Sequence, residues 1–136
     1  MVKYKSNYEG QLRTETIHIA SQNTMLTDAP TDNQGKGETF SPTDLLAVGL
    51  STCILTVMGI KAREMGLKDP VMRTEVNKVM LANPRRIGRI EVDVHIQARK
   101  IDSKSRKILE HTAIHCPVAK SLHPEIEQVI EFLYYE

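Results

Sequence analysis

The chain has 136 residues, 40% of them apolar and 26% charged, with no tryptophan, which suits one globular domain with an aliphatic core and excludes a disordered chain. A formal charge of +1 supplies no whole-molecule field to draw it to nucleic acid or to an anionic membrane. Two distant cysteines without a Cys-x-x-Cys pair exclude a disulfide framework and a thioredoxin motif, leaving reactive thiols or inert core cysteines.

The N-terminus, Met1-Val2-Lys3-Tyr4-Lys5, alternates polar and apolar residues and lacks the apolar run and cleavage site of an export signal, so a cytoplasmic protein is expected. Period-two alternation continues to Tyr8, Glu9-Gly10 turns the chain, and Gln11 to Ala20 reads as a second strand with Arg13, Glu15, Ile17 and Ile19 on one face. The segment from Asp28 to Glu38 holds Asp, Asn, Pro and Gly35-Lys36-Gly37, which predicts a long exposed loop. Ser41-Pro42-Thr43-Asp44 is a helix start: Ser41 can cap, Pro42 suits the first position, and Asp44 sits where the helix dipole favours negative charge. This helix should run to about Met65 and stop at Gly66.

From Leu45 to Ile60 apolar residues occur on every side, which marks a helix enclosed by other structure or by a second subunit. The uncharged run is 16 residues, short of the roughly 18 that suggest a membrane span. Val71 to Leu81 and Ile87 to Arg99 read as a hairpin around Asn83-Pro84, with Ile90, Val92, Val94, Ile96 and Ala98 facing a core and Glu91, Asp93, His95, Gln97 and Arg99 facing water. Asp102 or Ser103 caps a second helix whose inward stripe is Leu109, Thr112, Ala113 and Cys116. Pro117 ends it and can open another short helix, and Ile126 to Tyr135 is expected as a final strand, with a helix as the alternative.

A lone helical cysteine is usually a small core hydrophobe. Around Cys53, however, Gly49, Ser51 and Thr52 would let a ligand or another backbone approach closely. Cys116 precedes Pro117 and so can cap the next helix, where free N–H groups favour a thiolate.

The run from Phe40 to Cys53, FSPTDLLAVGLSTC, resembles the segment leading to the peroxidatic cysteine of OsmC/Ohr proteins, and His115-Cys116-Pro117-Val118-Ala119-Lys120-Ser121-Leu122 resembles their second Cys-Pro motif. The order of elements is similar too, so the resemblance covers nearly the whole chain as a single domain, 1–136. It implies an α+β, OsmC-like fold in which antiparallel sheets wrap a long buried central helix, in an intertwined homodimer. It further implies a thiol-dependent peroxidase acting on organic hydroperoxides or hydrogen peroxide, with no metal or organic cofactor. In that reading Cys53 attacks the peroxide, Cys116 closes a disulfide with the resulting sulfenic acid, and an external dithiol resets the pair. Arg13 stands at the place of the arginine that favours the thiolate.

Ohr proteins carry a glutamate ten residues before the nucleophile, where this chain has Thr43; Asp44 and Glu38 are the candidate acids for Arg13, which places the chain outside the Ohr branch proper. A non-catalytic redox sensor or small-molecule binder on the same fold is the alternative, because fold does not fix function. His111 and His115 have a spacing that could hold zinc if Cys53 came near, although solvated histidines explain them more simply. The cluster Arg85, Arg86 and Arg89 lacks interleaved aromatics and reads as a solvated turn, not a nucleic-acid site.

Overall fold

A computed structural model describes residues 1–97 and 99–136 and divides into two compact units, 1–46 and 47–136. Ala98, expected on the core face of the second hairpin, lies outside the described residues.

The first unit is an antiparallel meander of β1 (Tyr4–Gly10), β2 (Arg13–His18) and β3 (Thr24–Asp28). The expected hairpin forms, but its turn falls two residues later than Glu9-Gly10. Gln11 and Leu12 occupy it with φ of 54° and 63°, the conformation whose twist suits a two-residue connection between strands. β3 was not expected from the sequence. It pairs with β2 so that Arg13 stands opposite Asp28. The following segment is a loop holding a single 3-10 turn, Thr31–Asn33, and it folds tightly: a Cβ on Gly35 would lie 1.7 Å from the Ala29 carbonyl oxygen, so only glycine fits.

The first helix, α1, spans Pro42–Glu64 and stops at Gly66, whose φ of +74° suits glycine. At 23 residues it has the length and apolarity to cross a bilayer, which the 16-residue uncharged run understates. Its place is nevertheless in a protein core, because Ala47, Leu50, Ile54, Met58 and Ala62 form one fully packed stripe. The expected enclosure on every side is not met within one chain: Leu46 and Ile60 remain exposed.

In the second unit that stripe packs with the inner face of a sheet ordered β4 (Met72–Leu81), β5 (Arg86–Gln97), β6 (Glu127–Tyr135). Alternation in β5 places Ile90, Val92, Val94 and Ile96 wholly in the core. β4 and β5 form the expected antiparallel hairpin, but β6 runs parallel to β5, so the sheet is mixed and not all antiparallel. The connection between β5 and β6 carries α2 (Ser103–Ile114) and α3 (Pro117–Ser121). Asp102 caps α2 by accepting from the Ser105 N–H at 2.7 Å, and Leu109 and Ala113 turn into the core. His95, expected to face water, is buried instead: its ring stacks on Tyr135, with Nδ1 2.6 Å from the Tyr135 hydroxyl and Nε2 2.8 Å from Glu75.

Leu109 has no exposed surface and ties α2 to this core. Leu109→Ala is therefore expected to lower unfolding stability by about 2–5 kcal/mol. Ile114→Ala, on an exposed side chain of the same helix, should stay within about 1 kcal/mol. Urea unfolding of both variants checks the contrast.

Candidate active site

Cys53 projects from the middle of α1 and is half-buried, whereas Cys116 is 1% exposed. Both are free thiols packed in the same core, close enough for Cys53 to act electrostatically on Cys116. The two cysteines, 63 positions apart (116 − 53), are thus brought together by one core. The hydroxyls beside Cys53 are turned to the backbone: Ser51 Oγ donates to the Val48 carbonyl at 3.1 Å and Thr52 Oγ1 to the same carbonyl at 2.9 Å. Gly49 does leave open space, since a Cβ there would meet nothing within 4 Å.

The sequence places Cys116 at a helix N-cap, and the structure agrees: its Sγ accepts from the Ala119 N–H at 3.4 Å at the start of α3. The electrostatic consequence expected from that position is reversed. Burial pushes the Cys116 thiol above its ordinary value, the Ala119 N–H offsets this only in part, and a negative charge on Cys53 raises it further. Cys116 is therefore favoured as the neutral thiol, and Cys53 is the more accessible of the two.

In the first unit Arg13 is gripped on one edge of its guanidinium. Nε donates to Asp28 Oδ1 at 2.7 Å and Nη2 to Asp28 Oδ2 at 2.7 Å, a bidentate pair, while Nη2 also donates to Glu38 Oε1 at 2.9 Å. The Glu38 N–H donates to Asp28 Oδ2 at 3.0 Å, so the loop and the ion pair hold each other. The Arg13 hydrogen bonds keep the Asp28 carboxyl below the usual carboxylate range, against an opposing effect of burial. Among the described residues nothing is bonded to Nη1, which leaves that end of the fork able to donate to an outside atom.

Of the two acids proposed for Arg13 from the sequence, Glu38 is in place. Asp44 instead closes a reciprocal cap with Ser41, accepting from the Ser41 N–H at 2.8 Å and donating its own N–H to Ser41 Oγ at 3.1 Å. Asp28 was missed, although it is the principal partner. His111 stands exposed on α2 and His115 exposed at its C-cap, neither joined to a thiol, and no group of three or more metal-ligating side chains occurs among the described residues. Arg86 and Arg89 lie on β5 rather than in the turn expected from the sequence, with Glu125 at 3.7 Å and Glu91 at 2.9 Å.

A family model described as OsmC-like protein matches residues 35–131. Among solved structures, a protein from Psychrobacter arcticus provisionally named as osmotic stress induced and detoxification response protein is 49% identical, with TM-score 0.91, over 97% of this chain and 96% of its own. An OsmC-like protein from Mycoplasma pneumoniae shares the fold at 14% identity and TM-score 0.81, covering 98% of this chain and 96% of that one. The organic hydroperoxide resistance protein OhrB of Bacillus subtilis does so at 17% identity and TM-score 0.70, covering 96% and 98%. No curated protein matches the sequence.

Proposed function

The chain belongs to the OsmC-like family, and from that premise we propose that it is a thiol-dependent peroxidase in which Cys53 is the nucleophile and Cys116 the resolving thiol. The family includes organic hydroperoxide resistance proteins. The observation that carries the reading is the unequal pair of thiols: Cys53 accessible, Cys116 buried beside it and held protonated by its surroundings.

The Cys53 thiolate attacks one peroxide oxygen, the O–O bond breaks, and the departing alkoxide or hydroxide takes a proton and leaves as an alcohol or water. Cys53 is then a sulfenic acid. Cys116 condenses with it, the sulfenic oxygen leaves as water, and the disulfide forms. An external dithiol returns both cysteines to thiols and is itself oxidised. Arg13, aligned by Asp28 and Glu38, is proposed to favour the Cys53 thiolate and to receive a peroxide oxygen through Nη1; a guanidinium suits both roles because it is planar and stays cationic. Asp44 is proposed to serve by holding the start of α1.

An intertwined homodimer belongs to the same proposal. It is supported by the uncovered apolar side chains: Tyr4, Tyr8, Met25 and Leu26 on the first sheet, and Leu46 and Ile60 on α1. Sedimentation at micromolar concentration should give a single species of twice the chain's mass, and a monomer would contradict the arrangement.

The direct test of the chemistry is intact mass after one equivalent of an organic hydroperoxide. Reduced protein should lose two hydrogens as the Cys53–Cys116 disulfide forms, and a dithiol should restore the starting mass. A chain that leaves its mass unchanged while the peroxide persists is a binder and not a peroxidase.

A further inference from the structure

The two histidines at the end of α2 take no part in the thiol chemistry, and they are arranged as a chelate. Residues four apart on a helix share one face, a turn apart. The rings of His111 and His115 have centroids 4.3 Å apart with planes tilted by 39°, and both residues are exposed. His115 Nδ1 lies 2.8 Å from the His111 carbonyl oxygen. A carbonyl only accepts, so Nδ1 carries the proton and Nε2 presents its lone pair outward. Among the described residues no hydrogen bond engages the His111 ring.

Two imidazole nitrogens bound at about 2.0–2.1 Å to one ion stand about 3 Å apart. Rings whose centroids already lie 4.3 Å apart reach that separation by small rotations about their terminal torsions. Position adds to geometry: α2 ends at Ile114 with His115 as its C-cap, and the last carbonyls of a helix favour positive charge nearby. The turn beyond is closed by two long bonds, His115 N–H to the Thr112 carbonyl at 3.3 Å and Cys116 N–H to the Ala113 carbonyl at 3.3 Å. A ligand bridging His111 and His115 would therefore restrain the residues that lead to Cys116.

We infer that His111 and His115 form a two-imidazole site for a divalent cation of the copper(II), nickel(II) or zinc(II) kind, with water completing its shell, and that the bound ion stiffens the turn carrying Cys116. Imidazole ligands select these ions over calcium or magnesium. The site differs from a zinc centre shared with a cysteine, because Cys116 is buried while both histidines are exposed. Cation binding stands apart from the peroxidase reading; only the effect on the resolving thiol rests on it.

Nickel(II) alone is the probe, titrated by calorimetry into the full chain carrying Cys53→Ser and Cys116→Ser so that thiolates do not compete. Cys53→Ala with Cys116 retained supplies a second background should the double variant fold poorly. One equivalent is expected to bind with saturation below about 1 mM, weakened about tenfold or more by His111→Gln and by His115→Gln. Binding should fade as the solution is taken from pH 7.5 to 5.5, since a protonated imidazole is no ligand. With the histidines and Cys116 intact, nickel should also slow amide exchange at Cys116, Val118 and Ala119. Absence of saturable binding below 1 mM, binding unchanged in both glutamine variants, or binding retained at pH 5.5 would each overturn the site. Unaltered exchange at Cys116 on saturation with nickel would overturn its stiffening of the turn.

Discussion

Cys53→Ser is expected to abolish peroxide consumption, lowering the rate on the order of a thousandfold or more, because a hydroxyl in this setting has no base to turn it into a comparable nucleophile. Ser51 and Thr52 show the local fate of hydroxyls on α1: both are tied to the Val48 carbonyl. Cys116→Ser should behave differently. The first attack survives, one equivalent of peroxide is consumed, and turnover then stops with a sulfenic acid on Cys53 that excess peroxide drives to sulfinic acid. Stopped-flow peroxide loss with mass analysis of the product separates the two variants. Retention of the first reaction in Cys53→Ser, with its loss in Cys116→Ser, would mean the nucleophile has been assigned backwards.

Asp28→Asn is expected to slow the first attack by about tenfold to a hundredfold, the order seen when a catalytic group is misplaced by about 1 Å. The mechanism is a loss of aim. Asparagine offers one acceptor oxygen where Asp28 offers two, and its NH2 would face an Arg13 N–H donor, so the bidentate grip fails and Glu38 holds Arg13 alone. Arg13→Lys should give a loss of similar size, because lysine keeps the charge without the planar fork. Combining Asp28→Asn with Arg13→Lys should then cost little more than either alone, since both remove the same function. Fully additive losses would show that Asp28 acts elsewhere. The dependence on acid has a definite sign: the Asp28 carboxyl is depressed in the folded protein, so its contribution to stability is complete above about pH 4 and is lost as pH falls through the lowered folded value. Acid unfolding of Asp28→Asn should be shallower than that of the parent chain.

Local signals in the sequence locate much of this architecture. Ser41, Pro42 and Asp44 announce the start of α1 through their own hydrogen-bonding chemistry, Gly66 its end through backbone freedom, and the alternation of β5 its buried face. What was not legible depends on pairing across the chain. β3 is short, with the sequence Thr-Met-Leu-Thr-Asp, and carries no clear period; without it nothing sets Asp28 opposite Arg13. The direction of β6 is likewise invisible in its composition. His95 occupies a position whose period points outward, yet Tyr135 and Glu75 cover it. At Cys116 the helix cap was predictable, but the burial that outweighs it is a property of the assembled core.

The parallel pairing of β5 with β6 also leads us to expect an order of assembly. The β4–β5 hairpin joins neighbours and can close early, whereas Arg89 meets Glu127, 38 positions later (127 − 89), only after the intervening connection has folded. Cys116 lies in that connection, so a nascent or refolding chain is expected to expose Cys53 before its companion thiol is in place. If Cys53 is the nucleophile proposed above, an oxidant encountered during that interval would meet it without its resolving partner and trap it as sulfinic acid, so the yield of reducible protein should depend on keeping the chain reduced until β6 has docked.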